Sequence, residues 1–134
     1  MIVVDASVLA NAVADDEEAG RQARELLRAH RDLAAPDLVD VETTAVLRRR
    51  WLSGTVTDER FEQAVEDLID LPLARVPTLG LVRRAFALRA NVTAYDACYV
   101  ALAEALGWPL CTADRRLAQA PGPRCIMQLI TPPD

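Results

Sequence analysis

A chain of 134 residues, 51% hydrophobic and 26% charged, has the make-up of one globular domain with a substantial core, not of a disordered chain or a two-domain protein. Its formal charge of −5, with arginine supplying all fifteen basic residues, argues against non-specific nucleic-acid binding driven by a cationic surface. The apolar runs fall far short of a membrane span and MIVVDASVL opens with no basic region, so neither a membrane segment nor a signal peptide is expected and the expected compartment is the cytoplasm.

In chain order, Ile2 to Val4 is a short apolar strand ending at Asp5, and Ala6 to Ala14 is set to turn into a helix. Residues Asp15 to Arg31 show an amphipathic helical pattern, with Ala19, Ala23, Leu26 and Leu27 inward. Leu33 to Ala35 is a second strand, closed by Pro36, and a helix from Asp37 to Leu52 stops at Ser53-Gly54. Thr57-Asp58-Glu59 opens another helix, with Phe61, Ala64, Val65, Leu68 and Ile69 inward. Leu73 to Val76 is a third strand, and Pro77 starts a helix reaching about Ala90.

The stretch Ala94 to Leu117 follows: a helix apolar on nearly every side, a Gly107 turn, a strand from Pro109 to Thr112, and a new helix start. Arg124 to Gln128 is the last strand, before a Thr131-Pro132-Pro133 tail. Cys98, Cys111 and Cys125 are widely spaced in apolar settings and read as reduced core thiols, not a zinc pattern. Short apolar strands separated by helices predict a single α/β unit over residues 1–134. Its parallel sheet would be covered on both faces, with any site outside the carboxyl ends of the strands.

Four acids fall where such a sheet would gather them. Asp5 follows the first strand, where its ordinary role is an N-cap. Glu42 lies among Leu38, Val39, Ala45 and Val46, on the apolar side of its helix, where a solvated glutamate is out of place. Asp96 sits in the first turn of the most apolar helix. Thr93 to Asp96 also fits a capping box, and the helix dipole would help keep the acid ionised. Asp114 follows the fourth strand and has its own capping alternative. Close carboxylates repel by about 1 to 4 kcal/mol per pair at about 4 Å. An acid cluster is therefore receptive to Mg²⁺ or Mn²⁺, which prefer oxygen ligands. Two such cations would bring the net charge to about −1, with the change concentrated at the site.

Other chemistries lack their parts. His30 is the lone histidine, in a charged helix tail, and no Walker or GxGxxG pattern occurs. Acids with a divalent cation suit phosphodiester hydrolysis, because the cation activates water and relieves charge on the leaving oxygen.

MIVVDASVL, PDLVDVETTAVLRR, VTAYDACYVALAEALG and PLCTADRRL resemble, in that order, the motif blocks of PIN-domain nucleases, most closely VapC-type toxins of bacterial toxin–antitoxin pairs. The resemblance implies a three-layer PIN-like domain with a short parallel five-stranded sheet and helices on both faces. It implies a metal-dependent endoribonuclease toxin, usually homodimeric, that uses Mg²⁺ with Mn²⁺ able to substitute and is held inactive by a VapB-type antitoxin. Asp5, Glu42, Asp96 and Asp114 occupy the acidic motif positions, as catalytic residues and metal ligands, with Ser7 and Thr112 at the supporting hydroxyl positions. The fourth block departs from the family at Cys111, where an aromatic residue is common, a difference that touches packing. Hydrolysis by activated water is expected to leave a 5′-phosphate and a 3′-hydroxyl.

Arg49 lies within about 20° of Glu42 on the helix and about 10 Å further along, in reach of a backbone phosphate. Solvated charge at a helix end is an equal account of Arg48 to Arg50. Arg83, Arg84, Arg115 and Arg116 are further candidates for RNA or antitoxin contact. Trp51 and Trp108 are expected in the core. Two competing functions remain. A phosphoacceptor receiver would need a lysine, and the chain has none. A PIN-fold RNA-binding or regulatory domain without turnover would be expected to have lost acids, and all four are present.

Overall fold

Ile2, Val3 and Val4 are inaccessible to solvent, as a strand with neighbours on both edges and helices on both faces requires. In the computed structural model, which describes residues 1–130, this strand is β1 (Ile2–Val4) and stands at the centre of a five-stranded parallel sheet. The other strands are β2 (Leu33–Pro36), β3 (Ala74–Val76), β4 (Leu110–Thr112) and β5 (Met127–Leu129), in the order β3-β2-β1-β4-β5. The Thr131-Pro132-Pro133 tail lies outside the described residues. The chain leaves β1 for β2 and β3 on one side, then crosses to β4 and β5 on the other. A crevice therefore opens beyond the carboxyl ends of β1 and β4, where successive connections diverge. Val3 pairs with Leu110 and Val4 with Cys111, which brings Asp5 level with Thr112 at that edge.

The helices form two layers around the sheet. Helix α1 (Ala6–Ala14) packs against α2 (Glu18–Ala29), α3 (Val39–Leu52) and α4 (Asp58–Asp70). Helix α6 (Ala94–Leu106) lies on β1, β2 and β4, backed by the short α5 (Val82–Ala87), and α7 (Arg115–Ala118) borders β4 and β5. The apolar character of α6 is explained by burial of every residue from Ala97 to Ala103. The helix ends at Gly107, whose φ of 69° is the left-handed C-cap that glycine adopts most cheaply. A smaller core of Ala10, Val13, Ala14, Leu47 and Ala64 ties α1 to α3 and α4.

Several boundaries differ from the sequence expectation for local reasons. Asp15 is not in α2: its Oδ1 accepts the Glu17 and Gly20 N–H groups at 2.8 and 3.1 Å, and the helix begins at Glu18. Pro36 continues β2 instead of closing it, because the carbonyl of its register partner Val76 is satisfied by the Asp37 N–H at 2.7 Å. Beyond Pro77 the chain makes a 3₁₀ turn (Thr78–Leu81) before α5, not one helix to Ala90. Asp37 Oδ1 captures the Thr78 N–H and hydroxyl, and Gly80 weakens any α-helix there. The last strand begins at Met127, not Arg124, and Ile69, expected inward, is exposed on α4.

Candidate functional site

Asp5 is planted where β1 becomes α1, and it is 5% exposed. Ser7 Oγ donates to its Oδ1 at 2.5 Å, and the Val8 N–H reaches the same oxygen at 3.2 Å, so the N-cap role is real. The Thr112 hydroxyl donates to Oδ2 from the end of β4. Burial pushes the Asp5 carboxyl up to about 6, against these three hydrogen bonds, with the Asp96 charge adding to the rise. Ser7 and Thr112 do more than serve Asp5. Ser7 Oγ accepts the Ala113 N–H at 2.9 Å and Thr112 Oγ1 accepts the Asp114 N–H at 3.0 Å. These bonds lock the turn after β1 to the turn after β4.

Glu42 is half-buried on α3. The core face of that helix is Val39, Thr43 and Leu47, four residues apart, whereas Ala45 is exposed and Val46 half-buried. The apolar side around Glu42 thus borders a groove and is not wholly core, which corrects the sequence picture without moving the acid outward. Burial pushes the Glu42 carboxyl up to about 7, the Asp96 and Asp5 charges push the same way, and Arg49 opposes them. Its Oε1 is buried without a hydrogen-bond partner.

Asp96 is half-buried in the first turn of α6, where Thr93 Oγ1 caps the helix by accepting the Asp96 N–H at 3.2 Å. Burial raises its carboxyl, the Thr93 hydroxyl opposes the rise, and the Asp114 charge adds to it. Asp114 is exposed and caps α7, accepting the Arg116 and Leu117 N–H groups on Oδ1 at 2.9 and 3.4 Å.

The crevice thus brings the four acids within electrostatic reach of one another in a chain. Asp114 acts on Asp96, Asp96 on Asp5 and Glu42, and Asp5 on Glu42. Among the described residues no three histidine, cysteine, aspartate or glutamate side chains close into a cation-sized cage. The donor set is all oxygen and suits a hard divalent cation that keeps part of its hydration shell.

Beside Glu42 and Asp96 runs a groove of about 440 Å³, lined also by Val41, Arg49, Thr93 and Tyr95. Val41 and Tyr95, 75% and 64% exposed, were not singled out by sequence. Val41 breaks the inward spacing of α3, and that was the available signal. Arg49 lies open on this groove, and Arg115 and Arg116 are exposed beside Asp114. Arg84, a further contact candidate by sequence, is paired with Glu104 at 2.7 Å and is less exposed than Arg115 or Arg116. Arg50 is likewise engaged, donating to Asn11 Oδ1 at 2.7 Å. Trp51 is not in the core. It is 40% exposed, tilted against Phe61, and its indole N–H donates to Asp58. Trp108 is half-buried against the main core. Cys111 sits buried in β4, its thiol donating to Gln128 Oε1 at 3.1 Å and pushed up to about 11 by burial, an inert packing residue.

Comparison with known proteins adds to this geometry. The PIN domain family matches residues 2–123. Ribonuclease VapC9 of Mycobacterium tuberculosis is 41% identical over 130 residues, covering 97% of this chain and 98% of that protein. Ribonuclease VapC1 of the same species is 41% identical over 129 residues, covering 96% of each. Among solved structures, M. tuberculosis VapC20, described as a Sarcin-Ricin loop cleaving toxin, has a TM-score of 0.70 at 17% identity, covering 88% of this chain and 93% of its own. FitAcB from Neisseria gonorrhoeae has a TM-score of 0.69 at 16% identity, with 95% and 96% covered. These last two likenesses concern the fold.

Proposed function

The chain belongs to the PIN-domain family, among the VapC ribonucleases, and from that membership we propose that residues 1–134 form one PIN domain acting as a metal-dependent endoribonuclease. It is the toxin of a toxin–antitoxin pair, works in the cytoplasm as a homodimer, and is silenced by a VapB-type antitoxin. Among the described residues no helix is long and apolar enough to cross a membrane.

The observation that carries the reading is the set of acids at the β1/β4 crevice whose carboxyls are held above their ordinary range by burial and by one another. Acids buried and crowded together in this way mark a candidate functional site, and one receptive to positive charge. Asp5, Asp96 and Asp114 would hold Mg²⁺, or Mn²⁺ in its place, directly or through water, with Glu42 as ligand or water-orienting group. The orphaned Glu42 Oε1 and the all-oxygen donors fit such an ion. When bound, the cation supplies Lewis acidity toward water and relief of charge on the scissile phosphate.

The protein's own part is orientation and proton handling. Ser7, Thr112 and the Val8 N–H fix Asp5 in one rotamer, so its lone pairs need no reorganisation. Cap bonds through Oδ1 hold Asp114 similarly. Glu42, whose carboxyl is pushed up to about 7 by burial and by the neighbouring acid charges, would be drawn back to its ionised form by a bound cation, and so is suited to ligate that ion or to orient the attacking water. Arg49, Arg115 and Arg116 supply exposed guanidinium groups for RNA phosphates or an antitoxin carboxylate.

The test is Mn²⁺-dependent cleavage of a structured RNA by the wild type and by Asp96→Asn. Cleavage by the wild type with loss in the variant is expected, and equal cleavage by both would remove Asp96 from the mechanism.

A further inference from the structure

Helix α3 carries two faces that differ in what covers them. Val39, Thr43 and Leu47 are buried in the body of the protein, whereas Val41, Ala45 and Arg49, also four residues apart, form a row open to solvent. Tyr95, 64% exposed in the first turn of α6, lines the same groove of about 440 Å³ from the other helix. Single apolar side chains on a surface need no explanation. Val41 and Tyr95 are not single: they share one depression with Glu42 and Asp96, so the groove is the direct continuation of the acid crevice. Arg49 stands on it seven residues from Glu42, about 10 Å along α3.

An RNA whose scissile phosphate sits at these acids places a neighbouring nucleotide within reach of the groove. The lining matches the parts of that nucleotide: a flat aromatic ring and aliphatic groups for the face of an unstacked base, and a guanidinium for a phosphate. A protein segment would also bring apolar groups, but it gives no account of why the groove opens onto the acids. We propose that this groove is a nucleotide subsite in which Tyr95 stacks on a base next to the scissile phosphate, with Val41 against that base and Arg49 on a neighbouring phosphate. The proposal rests on the ribonuclease reading and deepens it, because a base paired and stacked in a duplex has no free face for the ring, so the RNA is unpaired at the cut. Every base has a π-face, and the subsite therefore selects the unpaired state more than a particular base.

The experiment uses the full chain and two probes. The first is a short fluorescein-labelled oligouridylate, its binding read by stopped-flow anisotropy in Mg²⁺ before cleavage. Tyr95→Ala is expected to weaken binding about 5- to 150-fold, the worth of one stacked base, and Tyr95→Phe to keep it, with melting temperature unchanged in both. The second is a short RNA that the wild type cuts, selected from a randomised pool, with and without the base beside the cut. Tyr95→Ala is expected to raise KM by a similar factor at constant kcat. Loss of that base should cost the wild type as much and cost Tyr95→Ala nothing further. Wild-type affinity and KM in Tyr95→Ala, or a penalty for the missing base that persists in full in that variant, overturns the subsite and leaves the groove to a protein segment. Should the wild type cut no RNA, the ribonuclease reading fails by itself, and the anisotropy of Tyr95→Ala against Tyr95→Phe still decides the stacking.

Discussion

Replacing Asp5 by asparagine should stabilise the metal-free protein at neutral pH and destabilise it in acid. The Asp5 carboxyl stands at about 6 in the fold against an ordinary value of 3.8, so the folded state retains a proton that the unfolded chain releases first. Stability from this group is therefore complete below about pH 4 and is lost as pH rises through about 6. The full loss corresponds to about 3 kcal/mol, and discounting is small because the side chain is buried. Asparagine keeps an oxygen for Ser7 and Val8 but forfeits the charge-assisted bond from Thr112, which offsets about 1–2 kcal/mol. The balance is a gain of about 1–2 kcal/mol at about pH 7.5, or about 3–8 °C in Tm for a chain this size. At about pH 4 most of the charge penalty is gone, the lost hydrogen bond dominates, and the sign reverses. Thermal melts with a chelator at both pH values measure it. An asparagine variant less stable than wild type at both would show that Asp5 carries no burial penalty, and the reasoning from strained acids to a cation site would fail with it.

Glu42→Gln removes an acid pushed up by burial and by its acidic neighbours, and is expected to cut RNA cleavage about 10²- to 10⁴-fold in single-turnover assays while raising the chelated Tm. Wild-type protein titrated with Mg²⁺ should regain at about pH 7.5 the stability lost between about pH 4 and pH 7. A Tm independent of Mg²⁺ would contradict this. Gly20→Ala should destabilise by about 2 kcal/mol or more in urea melts, because a Cβ there would meet the Asp15 carbonyl oxygen at 1.7 Å and force the α1–α2 junction apart. Gly107→Ala has open space for its methyl but a φ of 69°, so about 1 kcal/mol of backbone strain is the whole expected cost.

The sequence carried the sheet and the four acids for one reason: both are written in short-range pattern. Ile2 to Val4 and Leu110 to Thr112 are continuous apolar runs, each followed within two residues by an acid, and a parallel sheet converts that repetition into proximity. What escaped were features decided across elements. Whether Val41 or Ile69 faces the core depends on which helix packs against which, and α3 and α4 each present one narrow face, at Val39, Thr43 and Leu47 and at Ala64 and Leu68. Arg84 looked as free as Arg115 because its partner Glu104 is twenty residues away, on a helix that packs on α5 only in three dimensions.

Tyr99 is the sharper case. By periodicity it is one more apolar residue on an all-round buried helix, and nothing in that pattern shows that its hydroxyl is buried without a partner. Glu42 and Asp96 announce themselves because a charge set among apolar residues violates the pattern around it, whereas Asp5 and Asp114 are marked by the strand ends they follow. A buried phenol violates nothing until its surroundings are known, so it is less visible in sequence than a buried acid. Ser7 and Thr112 stand between these cases: a hydroxyl beside an acid can hydrogen-bond it, but such pairs are common, and their motif positions marked them more clearly. Their hydrogen bonds across the β1/β4 crevice join segments more than a hundred residues apart. Loosening either should therefore free Asp5 and Asp114 together, because the same two hydroxyls fix the turns that carry both.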